Sequence, residues 1–389
     1  MVIPQRAPIC PEGTHWPWGG THKRMQSSAP RIAFAIETTL GNAVFLDNLK
    51  RALGRRTDIT PVWLPIAEHA DDVWEQLPLV RSKLSVRGGL RARSALNQAF
   101  ALEPVSAAVV HTQRLAHLSH DFMRRVPSVI STDATPSGLE EYLRYYGLRT
   151  QHAGWMGRAK HALHRRTYTL AKGMLSFSRF TKRSLVEEYG VPDTRVHVVW
   201  PSVDTTLWRP APEKKPRDGV VRLLFVGSDL GRKGGQLLMR WAWETRRRNW
   251  RLDVVTSTPF EPPPGVRIHV GLQPNSPELI GLAQAADLFV LPTLADMSSW
   301  AIAEAKAAGL AVVTTPAGGV GELVRDGVDG RIVPAGDYTA LAHTLDALVR
   351  RPETLAAMGS ESRRMAEEHL DMDSTCSRML AFIRQVTGV

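Results

Sequence analysis

Short apolar runs alternate along this chain with stretches of helical periodicity, and this alternation constrains the fold more than any other feature of the sequence. Uninterrupted apolar runs are typical of strands that are buried on both faces. Strands of this kind, connected through helices, form parallel sheets in α/β folds. The predicted strands are Ile32–Ile36, Ala107–His111, Val129–Ser131, Leu175–Ser178, Val196–Val199, Val221–Val226, Leu252–Thr256, Leu288–Leu291, Ala311–Thr314 and Gly330–Val333.

A Pro-rich segment, Pro201–Asp218, divides these strands into two series and is the best candidate for a linker. A length of 389 residues suits two domains that each bury a core. We therefore predict an α/β fold with two Rossmann-like domains facing a cleft, residues 31–203 and 204–371. Residues 1–30, rich in Pro and Gly, are predicted to form a disordered tail. The predicted helices are Val44–Leu53, Arg179–Tyr189, Gly234–Arg247, Ser276–Ala286 and Ser299–Ala308, and the chain is predicted to be helical after its last strand.

Positive charge is concentrated in the first half of the chain. Residues 31–200 contain 24 Lys and Arg against 15 Asp and Glu, whereas residues 201–389 contain 22 against 22. The asymmetry predicts an anionic partner for the N-terminal domain: a membrane surface, a phosphorylated lipid acceptor or an acidic glycan. The alternative is a solvated basic surface with no particular partner. No nucleic-acid partner is predicted, because no DNA- or RNA-binding motif accompanies the charge.

The two cysteines, Cys10 and Cys376, lie far apart and fit neither a disulfide framework nor a zinc site. A reducing compartment suits such a chain. No apolar run approaches the roughly 18 residues that a membrane span needs. The sequence therefore predicts a cytoplasmic protein, either free or peripherally associated with the inner face of the membrane.

A Gly-rich stretch, Leu224–Gly235, follows a predicted strand and opens a predicted helix. Glycines such as Gly227 and Gly234 let a backbone approach a ligand closely, and helix N-termini attract phosphate. Arg232 and Lys233 add positive charge at this place. The stretch is neither a Walker loop nor a GxGxxG motif, so a tight turn with exposed basic residues stays open as the alternative.

A second stretch, Pro292–Gly309, contains a loop that presents Asp296 and a helix that Ser298 or Ser299 can cap. Free backbone N–H groups from Ser298 to Trp300 could hold a diphosphate. Glu304 falls about one turn into that helix, where its carboxylate could accept two hydrogen bonds from a ribose diol. The alternative is an ordinary strand–helix unit with a solvated Glu.

Together these stretches resemble glycosyltransferase family 4, whose members have the two-domain GT-B fold. The family carries two acids with seven residues between them, then Ala-Met-Ala-x-Gly-x-Pro. Asp296 and Glu304 have this spacing, although Asp replaces the first Glu, Lys306 replaces Met and Leu310 replaces Pro. The resemblance extends from residue 31 to about residue 370 and is stronger in the C-terminal half. Further matching segments are Gly318–Val324, Asp326–Gly330 and Pro334–Asp337.

The resemblance implies roles for individual residues. Lys233 matches the Lys that contacts the donor diphosphate, and Arg232 is hypothesised to replace the Arg that the family places where this chain has Ser228. Asp296 matches the acid beside the donor sugar, and Arg267–Gly271 resembles the loop beside the nucleotide base. The predicted donor-binding residues are Gly227, Ser228, Gly234, Val270, Met297, Ser298, Ser299, Trp300 and Glu304, and the predicted catalytic residues are Asp296, Lys233, Arg232 and Asp133.

The N-terminal half carries weaker motifs. Glu37–Asn42 resembles the flexible Gly loop on the acceptor side, which makes Gly41 and Asn42 candidate acceptor-side residues. His111, at the end of a strand, is a third candidate, with a structural role as the alternative. Asp133 lies where relatives have a His-Asp pair, and it either faces the cleft or caps a turn.

The resemblance implies a retaining glycosyltransferase that moves a hexose from a nucleotide-diphosphate sugar to a glycan or lipid-linked acceptor. The donor is a substrate, and no cofactor or metal is expected, because GT-B enzymes need no bound metal. Asp371 and Asp373 are interpreted as the start of a helix, 372–389, that returns to the N-terminal domain. The alternatives are an inactive relative that binds nucleotide sugars, a GT-B epimerase or hydrolase, and a protein whose basic domain binds membranes.

Overall fold

Each half of the chain is built around a sheet of six parallel strands. The computed structural model describes residues 29–39, 41–77, 80, 83–148, 154–212, 219–247 and 249–389. All but the last two residues of the predicted tail, 1–30, therefore lie outside the described residues. The first sheet, the centre of the N-terminal domain, consists of β1 (Arg31–Glu37), β2 (Thr60–Ile66), β3 (Ala107–His111), β4 (Ser128–Thr132), β5 (Gly173–Ser176) and β6 (Val196–Val198), in the order β2-β1-β3-β4-β5-β6.

The second sheet forms the centre of the C-terminal domain, and its central strands are almost completely buried. Apolar side chains cover both of its faces, as a parallel sheet flanked by helices requires. The strands are β7 (Val221–Val226), β8 (Trp250–Thr256), β9 (Val266–Val270), β10 (Leu288–Leu291), β11 (Ala311–Thr314) and β12 (Gly330–Ile332), in the order β12-β11-β10-β7-β8-β9.

Helices connect the strands and cover the sheets. Side-chain caps explain several starts: Ser178 and Ser276 each accept a hydrogen bond from the third residue that follows. In the N-terminal half the helices are α1 (Gly41–Leu53), α2 (Val73–Gln76), α3 (Leu84–Leu102), α4 (Gln113–Ala116), α5 (His120–Arg125), α6 (Pro136–Leu139), α7 (Gly154–Leu170) and α8 (Arg179–Glu187). Those that follow are α9 (Gly235–Glu244), α10 (Pro277–Ala285), α11 (Trp300–Ala307), α12 (Tyr338–Arg350), α13 (Pro352–His369) and α14 (Met372–Thr387).

The chain crosses between the domains twice, and the two crossings lie side by side. The N–H of Val203 donates to the carbonyl of Leu370, and the N–H of Met372 donates to the carbonyl of Val203, both at 2.9 Å. Beyond this point α14, capped by Asp371, packs on the N-terminal domain. The prediction of two Rossmann-like α/β domains facing a cleft, with a C-terminal helix that returns to the first domain, is confirmed.

Two edge strands were not predicted. β2 contains Pro61 and Pro65, which are tolerated because an edge strand leaves part of its N–H groups unpaired in the sheet. β9 is only partly buried, so it lacks the apolar run that marked the other strands. The interpretation of Arg267–Gly271 as a loop is therefore wrong for all but Gly271.

Other differences concern the ends of elements. The predicted Gly loop at Glu37–Asn42 is shorter than expected, because Glu37 ends β1 and Gly41 and Asn42 already belong to the first turn of α1. In the predicted linker Pro201–Asp218, Trp208 is buried in the C-terminal core and its Nε1 donates to Oδ1 of Asn275 at 2.8 Å. Residues 213–218 of that linker lie outside the described residues.

Candidate functional site

The Gly-rich turn after β7 packs tightly against the loop after β10. Gly234 has φ of +74°, and a Cβ there would lie 1.9 Å from the carbonyl oxygen of Pro292, so no other residue fits without moving the backbone. A Cβ on Gly227 would lie 3.1 Å from Cγ of Lys233. The stem of Lys233 thus lies across Gly227, and the two glycines bring the turn and the loop together.

Lys233 and Asp296 form an ion pair where these two loops meet. Both side chains are largely buried, which holds the ammonium and the carboxylate in one place. Next to them, Nη1 of Arg232 donates to the carbonyl of Ala295 at 2.8 Å. The guanidinium of Arg232 also lies 4.7 Å from the ring centre of Tyr146, which belongs to the N-terminal domain. Two cations from one turn therefore face the cleft beside a carboxylate.

Glu304 lies one turn into α11, the helix that Ser299 caps by accepting a hydrogen bond from the N–H of Ile302. Only 7% of Glu304 is exposed, and burial raises the pKa of its carboxyl to about 7. Within the described residues, no side chain or backbone group makes a hydrogen bond or ion pair with this carboxylate. It lines a small cavity together with Val226, the residue before Gly227, and the stem of Lys233 lies across Gly227.

The N-terminal domain contributes Asp133 and Tyr146 to the same region. Asp133 follows β4, and burial, together with the nearby negative charge of Asp296, raises the pKa of its carboxyl. Burial also raises the pKa of the Tyr146 hydroxyl, again with Asp296 adding to the shift. Asp133 thus lies within electrostatic reach of Asp296 in the other domain, and hydrogen bonds from the backbone N–H groups of Asp133 and Ala134 to its carboxylate act to lower its pKa. Asp133, Tyr146 and Asp296 place oxygen atoms from both domains around the two cations.

The acceptor-side candidates form a buried cluster. His111 is fully buried, its Nδ1 lies 2.9 Å from Oγ of Ser131 and its Nε2 lies 3.0 Å from Oδ1 of Asn42. Burial lowers the pKa of His111 to about 4, so the ring is neutral. Both ring nitrogens are satisfied, which favours a positioning role for His111: it fixes Asn42 at the start of α1.

Trp300 crosses from the C-terminal domain into this cluster. Its ring stacks on Phe45 with centroids 5.7 Å apart and meets Phe177 edge-on at 5.9 Å. A Cβ on Gly41 would lie 3.1 Å from the Trp300 ring, so the glycine makes room for it. The side chain of Trp300 thus makes an interdomain contact. The group of Trp300 that could still serve the predicted donor-binding role is its backbone N–H at the start of α11.

Three predicted donor-binding residues are less closely connected with the others. Ser228 is exposed, and its carbonyl accepts a hydrogen bond from Oγ of Ser257 at 2.9 Å. Val270, 49% exposed, ends the edge strand β9, which β8 separates from β7. Ser298 is half-buried, whereas its neighbour Met297 is buried against Gly318.

Glu322 makes a contact with the N-terminal domain that was not predicted from the sequence. Its carboxylate accepts hydrogen bonds from the backbone N–H groups of Arg179 and Phe180, both at 2.7 Å, and from Nε1 of Trp200 at 3.2 Å. A C-terminal-domain acid therefore caps α8 of the N-terminal domain. Close by, the N–H of Gly318 donates to the Tyr142 hydroxyl at 3.1 Å. The segment Gly318–Val324 matches a family motif, but the motif does not indicate which helix the Glu322 carboxylate caps.

Tyr142 and Tyr146 were also missed, although a signal was available. Three of the chain's six tyrosines, Tyr142, Tyr145 and Tyr146, fall within one short 3₁₀ segment, Glu140–Tyr146. Such a cluster of amphipathic rings is typical of a contact surface. Within the described residues, no group of three His, Cys, Asp or Glu side chains could hold a metal ion. None of the described helices combines the length and the apolar character that a membrane span requires.

Comparison with known proteins places the chain in a family. A model described as Glycosyltransferase Family 4 matches residues 41–207, and one described as Glycosyl transferases group 1 matches residues 220–351. A D-inositol 3-phosphate glycosyltransferase of Rhodococcus erythropolis is 29% identical over 209 residues, which cover 48% of this chain and 47% of that protein. The chain thus spans about half the length of the curated relatives that it matches.

Solved structures give the same fold. Sucrose-phosphate synthase from Thermosynechococcus elongatus has a TM-score of 0.74 at 15% identity, over 92% of this chain and 99% of that chain. HepE of Anabaena, solved in complex with UDP and glucose, has a TM-score of 0.67 at 16% identity, over 90% of this chain and 99% of that chain. With two family models matched in order and the two-sheet architecture shared, the chain belongs to the family 4, group 1 glycosyltransferases and has the GT-B fold.

Proposed function

We propose that this protein is a metal-independent, retaining glycosyltransferase that moves a hexose from a nucleotide-diphosphate sugar to a glycan or lipid-linked acceptor. One observation carries the proposal: Glu304 is 7% exposed, makes no hydrogen bond or ion pair within the described residues, and lines a cavity with Val226, which comes just before the Gly-rich turn that carries Arg232 and Lys233. A buried carboxylate without hydrogen bonds is costly. The two hydroxyls of a ribose would satisfy it.

The diphosphate of the donor would bind the two cations of the Gly-rich turn, Arg232 and Lys233. Lys233 is held by Asp296 in the ligand-free protein, and a diphosphate would compete for the same ammonium. Asp296 would then be free to accept hydrogen bonds from sugar hydroxyls. The backbone N–H groups at the start of α11, around Ser299, supply further positive potential. These groups do not reorganise during the reaction, so they can stabilise the charge that grows on the leaving diphosphate.

The proposed chemistry is transfer on one face of the sugar. The bond between the anomeric carbon and the phosphate oxygen breaks, and a bond from that carbon to the acceptor oxygen forms. The acceptor's proton goes to the departing phosphate oxygen, so no protein nucleophile is needed. The transition state has oxocarbenium character, as in glycoside hydrolysis. Asp296 pairs with Lys233, and Asp133 lies within electrostatic reach of Asp296. The two carboxylates would hold sugar hydroxyls and offset the positive charge of the ring.

Two experiments test the proposal. The first is a thermal-shift panel of nucleotide sugars and free nucleotides, because a ligand that binds the folded state raises the melting temperature. The second uses the best donor with candidate acceptors and determines the configuration at the new anomeric carbon by NMR. Retention supports the mechanism, and inversion contradicts it. A protein that binds nucleotide sugars but never releases nucleoside diphosphate would be an inactive relative, and isomerisation of the donor without an acceptor would indicate an epimerase.

The proposed location is the cytoplasm, where nucleotide sugars would be available to the cleft, with contact to the inner face of the membrane through the basic N-terminal domain. The excess of Lys and Arg in residues 31–200 supports this contact.

A further inference from the structure

Helix α7 presents an apolar surface to solvent on the domain that carries the excess positive charge. Trp155 is 72% exposed and Met156 is 60% exposed, and Leu163, one or two turns further on, is exposed as well. At about 100° per residue, these side chains and the exposed Ala159 and Ala162 share one broad side of the helix. A large aromatic ring left in water beside other apolar side chains marks an interaction surface.

Basic side chains border and interrupt this apolar side, which we call the α7 face (Trp155, Met156, Ala159, Ala162 and Leu163). Arg158 and Arg165 lie along one border, Lys160 lies along the other, and Arg166 lies within it. The helix contains no Asp or Glu. None of these four cations forms an ion pair with a carboxylate among the residues that the structure describes. Their charges are therefore available to an outside partner.

The remaining sides of α7 are fixed to the domain. Gly157, Thr167 and Tyr168 are its buried residues. The hydroxyl of Thr167 lies 2.9 Å from Nδ1 of His117 and 2.8 Å from Nε2 of His120, which ties the helix to α4 and α5. Turning the apolar side of the helix against the domain would require these contacts to break, and the structure describes the α7 face as exposed.

We propose that the α7 face docks on an anionic lipid bilayer, with the helix lying in the plane of the interface. Apolar and aromatic side chains on one side, flanked by Lys and Arg without acidic residues, are typical of interfacial helices. A soluble acidic glycan would use the cations and could stack a sugar ring on Trp155, but it would leave Met156 and Leu163 in water. The lipid surface accounts for both: its headgroups attract the cations, and its acyl boundary accepts the apolar side chains.

Docking would bring the cleft to the membrane. The segment Glu140–Tyr146, whose Tyr146 lies on Arg232, comes before α7 in the chain, and the exposed Leu148 lies between them. The inference extends the proposed function, because it favours a lipid-linked acceptor over a soluble one. The contact with the bilayer can be measured without any sugar transfer.

The test is co-sedimentation of the full chain with phosphatidylcholine vesicles, with and without phosphatidylglycerol, at low and high salt. We expect binding only to the anionic vesicles and weaker binding at high salt. Trp155→Ala should lower the partition coefficient by about tenfold. Arg158→Gln with Arg165→Gln should lower it by about 25-fold, since each cation near an anionic surface contributes about fivefold.

Matched controls lie on the other domain. Trp243, in α9, is 65% exposed, so Trp243→Ala removes a comparable ring, and Arg246→Gln with Arg350→Gln removes the same charge. Both controls should bind vesicles like the unmodified protein. Equal loss in the controls, undiminished binding by the α7 variants, or no binding to anionic vesicles would each overturn the proposal. Nucleotide binding measured by thermal shift on the same samples reports separately on the proposed transferase function.

Discussion

Replacing Glu304 tests the donor site through its pH dependence. The pKa of Glu304 is raised to about 7, so about nine-tenths of the carboxyl is ionised at pH 8 and about one-tenth at pH 6. Ribose hydroxyls donate more strongly to the ionised form, because charge-assisted hydrogen bonds are stronger than neutral ones. We expect the affinity for the matching nucleoside diphosphate to fall by about tenfold from pH 8 to pH 6 beyond any effect of the ligand's own ionisation.

Glu304→Gln keeps the shape of the side chain and removes its titration. The measurement is calorimetric titration of UDP, GDP and ADP, with the tightest ligand followed across this pH range. The phosphate groups of the ligand also titrate near pH 6, and the Gln variant reports that contribution alone. At pH 8 the variant should bind about 10- to 100-fold more weakly, the loss expected for a hydrogen bond to a charged group. Parallel pH profiles for the two proteins would refute the assignment of Glu304 to the ribose.

The same substitution should stabilise the ligand-free protein. The folded-state pKa of Glu304 lies above its usual value of 4.5, so the stability that the group contributes is present below pH 4.5 and is lost as the pH rises through about 7. At pH 8 the ionised side chain therefore costs up to about 3 kcal/mol. Glu304→Gln removes this cost, and its melting temperature at pH 8 should exceed that of the unmodified protein by several degrees. The difference should shrink towards pH 5.

Three further predictions concern the cations, the cleft and the core. Lys233→Ala should lower kcat for sugar transfer by about 100- to 1,000-fold, measured as acceptor-dependent release of nucleoside diphosphate; an unchanged kcat would exclude the diphosphate role. Glu322→Gln leaves one of the two backbone N–H groups that start α8 without its partner, so it should lower the free energy of unfolding by about 2 kcal/mol. The variant should also expose the cleft to limited proteolysis, and a variant as resistant to the protease as the unmodified protein would contradict the capping role. Lys306→Met should be less destabilising than Asp329→Ala. In Lys306→Met, Asp329 keeps its ion pair with Arg325. In Asp329→Ala, the fully buried ammonium of Lys306 is left unpaired, at a cost of about 3–5 kcal/mol. The reverse order of melting temperatures would contradict that reasoning.

The sequence predicted the buried part of the fold well. Central strands such as β3, β7, β10 and β11 have the predicted ends, because burial on both faces leaves an uninterrupted apolar run. The edge strands β2 and β9 lack that run. Helix α7 was missed because its few buried positions, Gly157, Thr167 and Tyr168, make no apolar period. An element whose residues mostly face solvent or a partner thus lacks the apolar pattern from which a strand or helix is predicted.

The meeting of the two stretches that carry glycines, cations and acids at recognisable spacing was also predictable, since Lys233 of one and Asp296 of the other form an ion pair. The contacts between domains were not. The capping of α8 by Glu322, the insertion of Trp300 beside Phe45 and the contact of Tyr146 with Arg232 each join residues that are far apart in the chain. A single sequence gives no information on such pairs, because only the folded arrangement of the two sheets brings the paired residues together.

The adjacent crossings at Val203 and Asp371 limit how the two halves can move. Both passages of the backbone lie at one place and are hydrogen-bonded to each other, so a change in the angle between the halves has to be absorbed there. Sliding of one sheet past the other would stretch or tear that pairing, whereas swinging about it would not. The cleft between the two halves therefore widens most at the margin farthest from the crossings. Because α14 follows the second crossing and packs on the N-terminal domain, it moves together with that domain.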